Sequence, residues 1–132
     1  MKRLTMLLLI MASSATLAQD GARNETEMTL RHMQLMIHHA VEMAAEGAGL
    51  VTLGQTQTAP AMDELSIERG RQLIADAKDL IREVAAGPAM MKLHSTELTD
   101  TSSARMIVTH QLEQAASSYI NVLEMSLENA GD

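Results

Sequence analysis

The chain has 132 residues, with ten Lys and Arg against 17 Asp and Glu for a formal net charge of −7, no Cys, and one aromatic residue, Tyr119. That balance argues against a nucleic-acid partner, which calls for a basic face, and a chain without Cys has no disulfides, thiolate metal sites or covalently attached c-type haem. Twelve Met in an otherwise aliphatic composition predict a soft core that fits irregular gaps.

In chain order, Lys2 and Arg3 precede an apolar run, Leu4 to Met11, and a small-residue stretch, Ser13-Ser14-Ala15-Thr16-Leu17-Ala18. Residues 1–18 therefore read as a secretory signal peptide cleaved after Ala18. No apolar run reaches the roughly 20 residues of a membrane span, so no membrane span is expected. The localisation expected is periplasmic or secreted. Loss of Lys2 and Arg3 leaves eight cations against 17 acids, a formal charge of −9 on a single domain over 19–132. Such a surface concentrates cations without choosing among them.

A first helix is expected from about Glu25 to Ala48, with Asn24 as N-cap, Glu27 three residues on, and Gly47 and Gly49 as the stop. A second is expected from about Ala61 to Ala86, opened by Pro60 and ended by Gly87-Pro88. "PAMMKLH" (88–94) suits a short helix of two turns. A third long helix is expected from about Ser103 to Asn129, behind the cap-rich Thr99-Asp100-Thr101-Ser102. No strand-like alternation occurs, so the fold class is all-α: an up-down helical bundle of three long helices plus one short helix, resembling a four-helix bundle.

Helical periodicity assigns faces. In the first helix Leu30, Met33, Ile37, Ala40, Val41 and Ala44 form the core stripe, Arg31, Gln34, His38 and Glu42 look outward, and His32, Met36, His39 and Met43 form a stripe along one edge. In the third, Val108, Leu112, Ala115, Tyr119 and Val122 are the expected core, and Met106, His110, Glu113 and Ser117 the opposite, polar side. His110 would then need a covering element, and the segment holding Met90, Met91 and His94 is the nearest candidate. That segment is bounded by Gly87-Pro88 and by a Thr/Ser-rich run, so it is expected to be a hinged, mobile flap that orders on metal, the alternative being a fixed cap on the core.

"HAVEMAA" from His39 and "HQLEQAA" from His110 share the pattern H-x-[V/L]-E-x-A-A. In an up-down arrangement the first and third long helices run in the same direction, with His32 and His110 about eight residues, or ~12 Å, from their starts. The short helix lies at that same end. Imidazole and thioether together suit copper, Met favouring Cu(I), whereas a His and carboxylate selection suits zinc, nickel or cobalt. The candidate metal ligands are thus His32, Met36, His39, Met43, Met90, Met91, His94, Met106 and His110.

The stretch Met36-Ile37-His38-His39-Ala40-Val41-Glu42-Met43-Ala44 resembles the M-I-P-H-H-Q-x-A-V-x-M-A signature of exported, ferritin-like helical bundle proteins rich in Met and His. It lacks the signature's proline and its Gln-x pair. The resemblance implies copper binding or tolerance, with Met36, His38, His39 and Met43 as the positions carried over. Composition and architecture also resemble exported helical-hairpin metal sensors and stress chaperones. A b-type haem between Met28 or Met33 and His110 is a further alternative. No nucleophile elbow, phosphate-binding glycine loop or H-E-x-x-H is present, so an enzyme is not expected. The partner is a metal ion, with a second copy of the chain as another candidate.

Overall fold

The computed structural model of the chain describes residues 2–95 and 104–129, and the side chains of 25–95 and 104–128. Four helices follow one another: α1 (Lys2–Gly54), α2 (Pro60–Ala86), α3 (Pro88–Ser95) and α4 (Ala104–Asn129). The described residues include no strand, and three long helices and a short one make the expected all-α bundle.

α1 departs from its expected bounds at both ends. Asn24 lies inside the helix rather than capping it, because the residues before it are mostly good helix formers with no proline. Gly47 and Gly49 do not stop it either. A terminating glycine adopts a left-handed conformation, and among the described residues no glycine has positive φ; Gln57, in the following connection, does. Gly47 instead serves the packing: a Cβ there would sit 2.5 Å from the Gly70 carbonyl oxygen, and one at Gly70 would sit 2.8 Å from Val51 Cγ2. The two glycines let the backbones of α1 and α2 approach closely.

α2 begins at Pro60, where the missing N–H costs nothing, and the Ala59 N–H donates to Asp63 Oδ2 at 2.8 Å. It ends where Gly87 turns extended, φ −63° and ψ 143°, as the residue before Pro88 must. The expected cap-rich segment 99–102 lies outside the described residues.

Direction follows from the contacts. Gly47 meets Gly70 while Gly54 meets Ile67, so α1 and α2 are antiparallel. Arg105 pairs with Glu27 and Thr109 with Gln34, so α4 runs parallel to α1. The core joins Leu30, Met33, Ile37, Ala40 and Ala44 of α1 to Ile74, Ala77, Ile81 and Val84 of α2, with Met90 and Leu93 of α3 closing one end. The buried stripe expected for α1 is thereby found, except that Val41 is only half-buried.

The face expected for α4 is reversed. Thr109, Glu113, Ala116 and Ile120 are buried, whereas Val108, Ala115, Tyr119 and Val122 are exposed and Leu112 is half-buried. Polar contacts hold this rotation. Gln34 Nε2 donates to Thr109 Oγ1 at 2.8 Å, and Thr109 Oγ1 donates to the Arg105 carbonyl at 2.7 Å. Lys78 of α2 pairs with Glu124. Burying Thr109 with its hydroxyl satisfied costs little, and Ala116 and Ile120 join the core beside it.

Candidate metal centre

α3 and α4 meet through two imidazoles. The His94 and His110 rings lie edge to face, centroids 5.0 Å apart at 76°. His94 Nε2 is 3.4 Å from Glu113 Oε2, beyond ordinary hydrogen-bond length, so the pair attracts strongly only when the imidazole is protonated. Glu113 is buried, an expensive place for a carboxylate without a cationic neighbour.

His110 has one ring nitrogen accounted for. Its Nε2 lies 3.1 Å from Gln114 Nε2, an i, i+4 neighbour on the same face. Its Nδ1 is buried and has no hydrogen-bond partner. If Nε2 carries the proton, with the Gln114 side-chain oxygen turned toward it, Nδ1 presents a buried lone pair. If Nε2 accepts from the amide, Nδ1 is an orphaned N–H. Either state costs about 1–3 kcal/mol. A cation at Nδ1 relieves the first.

Each imidazole stands one helical turn from a thioether on its own helix. Met90 precedes His94 by four residues and Met106 precedes His110 by four, spacings that share a face. Met90 is wholly buried in the core, and Met106 is half-buried against it. Four of the expected ligands, Met90, His94, Met106 and His110, thus lie on the two helices whose imidazoles meet, Met90 in the core and His94 exposed at its margin. Glu113, expected only as part of the outward stripe, joins them. The signal for it was its place three residues after His110, but only the rotation of α4 gives that spacing meaning.

The α1 candidates divide. Met36 and Met43 are half-buried and pack against the core, while His32 and His39 are exposed. Both histidines lie ~120–140° around α1 from the middle of its buried stripe, past the edge where they were expected. His38 faces outward as expected, and Met91 is 54% exposed. Among the described residues no group of three or more His, Asp or Glu is arranged to hold a metal ion. His94 and His110 supply two such ligands, and any third protein ligand must be a thioether or the Glu113 carboxylate after a shift. Among the described residues no helix is long and apolar enough to cross a membrane. No protein-family model, curated protein or solved structure matches the chain.

Proposed function

We propose that the chain is an exported metal-binding protein that holds copper between α3 and α4 through His94 and His110, with the Met90 and Met106 thioethers as the softer donors. The observation that carries this reading is the unpartnered, buried Nδ1 of His110 beside a second imidazole. Two nitrogens and one or two thioethers make a low-coordinate, soft set suited to Cu(I). Met36 and Met43 line the same core and belong to its thioether lining, whereas exposed His32, His39 and Met91 take up ions only transiently. Storage or tolerance, rather than catalysis, is the role such a set serves.

A second reading rests on Glu113. With its carboxylate 3.4 Å from His94 Nε2, a small shift would give a two-His, one-carboxylate set for zinc, nickel or cobalt. Competition decides between them. Cu(I), delivered under reducing conditions from a chromophoric chelator of known affinity, is expected to bind at one equivalent and to resist an equal concentration of Zn(II). Displacement of Cu(I) by Zn(II) would overturn the copper reading in favour of the second.

A further inference from the structure

α4 is apolar on two sides, and among the described residues the outward one is left largely uncovered, with Leu112 alone of its members also packing against the core. Its outward side carries Val108 at 51%, Tyr119 at 40% and Val122 at 57% exposure, with exposed Ala115 and half-buried Leu112 between them. The order Val108, Leu112, Ala115, Tyr119, Val122 advances by four, three, four and three residues, the spacing of a helix-to-helix seam. We infer that this seam is the contact between two copies of the chain, packed antiparallel about a two-fold axis at Ala115.

The occupant follows from symmetry and charge. The stripe nearly matches itself on reversal: with Ala115 opposite Ala115, Val108 of each copy faces Val122 of the other, and Leu112, three residues before the axis, lies one residue out of step with Tyr119, four residues after it. An isologous interface needs such self-matching. The small residue falls at the crossing point, where two helix backbones come closest. The Tyr119 ring covers the opposing Leu112 and can leave its hydroxyl at a rim made by Gln111 and Ser118.

Charge points to the same occupant. Between Arg105 and Glu124 the only Asp, Glu, Lys or Arg is Glu113, which is buried, while the one histidine, His110, meets His94 of α3. Two copies of a chain with net charge −7 can therefore meet along this face without opposing carboxylates. Exposed Leu65 lacks that property, since Glu64, Glu68 and Arg69 surround it. From Val108 to Val122 the seam is about 22 Å long. A single helix face of that length buries less than the roughly 800 Å² per partner of a standard interface, so the dimer is expected to come apart at about micromolar concentration.

The test uses the full chain with a chelator present, so that no metal bridges the copies. Sedimentation velocity should show a dimer, and dilution should change the emission of Tyr119, the chain's single aromatic residue. Ala115→Glu should weaken association about a hundredfold while leaving the helical circular dichroism unchanged. Equimolar Ala115→Glu and Ala115→Lys chains should dimerise together, because the two positions face each other across the axis. A chain that stays monomeric overturns the inference, as does an Ala115→Glu chain that dimerises like the wild type, or a mixture that fails to recover association. A chain monomeric in buffer whose Tyr119 emission responds only to phosphatidylcholine vesicles would assign the face to lipid and equally overturn it.

Discussion

His39 and His110 occupy the same local pattern and meet different fates because of one residue's worth of helix rotation. In α1 the first alanine of the pair, Ala44, is buried and Ala45 is exposed. In α4 the second, Ala116, is buried and Ala115 is exposed. One residue is about 100°, enough to turn His39 and Glu42 toward solvent and His110 and Glu113 toward α3. The motif therefore carries ligand potential in both helices and a ligand environment in one. Replacing His110 with Ala should weaken Cu(I) binding at least tenfold, about 1.4 kcal/mol, because it removes the nitrogen that lacks a partner. His38→Ala should leave affinity nearly intact, since that side chain is exposed on α1. Chelator competition on the two variants checks both, and a larger loss for His38→Ala would show that the metal binds elsewhere.

At the scale of whole helices, legibility depended on whether the deciding information was local. α2 was readable to within a residue, as Pro60 and Gly87-Pro88 act on their own neighbours. The meeting of "PAMMKLH" with His110 was also readable, because so short a connection leaves α3 few places to go. Whether α3 is flap or cap was not, and the burial of Met90 and Leu93 is what a closed flap and a fixed cap both require. The face of α4 was misjudged because apolar residues line both sides. The choice was made by Gln34, Lys78 and His94, which pair with Thr109, Glu124 and Glu113 from distant parts of the chain. Gly47 was misjudged for a similar reason, its partner Gly70 being 23 positions away on α2. Two glycine substitutions separate local from tertiary demands. Gly49 has nothing within 4 Å of an added Cβ, so Gly49→Ala should stabilise the fold by about 0.5–1 kcal/mol through helix propensity alone. Gly70→Ala gains the same propensity but drives a Cβ into α1 backbone, and overpacking of that kind costs about 1–3 kcal/mol. Urea midpoints should therefore move in opposite directions for the two variants, and two upward shifts would disprove the close approach of α1 and α2.

Across the molecule, apolar burial is uneven. The α1–α2 hairpin supplies most of the wholly buried aliphatic side chains, whereas α4 buries only Ala116 and Ile120 in the core cluster, with Met106, Leu112, Leu123 and Leu127 half-buried against it, supplemented by polar pairs that are partly exposed and individually weak. Without disulfides to tie the helices together, stability should divide along the same line, with α4 undocking at a lower free energy than the hairpin opens. Copper held between α3 and α4, as proposed, would be lost in the undocked state and equally in the globally unfolded one. Both openings then become harder by the same amount, RT ln(1 + [L]/Kd), about 2.7 kcal/mol when free metal is 100 times its dissociation constant. The gap between the two classes of amides should not change. Native-state hydrogen exchange under low denaturant measures this directly: amides of α4 should exchange ahead of the buried stretch of α1 around Ile37 to Ala44, and Cu(I) should slow both sets by one common factor. A single exchange class in the metal-free chain would show that α4 is as firmly held as the hairpin. Slowing confined to α1 and α2 would mean that the metal sits away from His94 and His110.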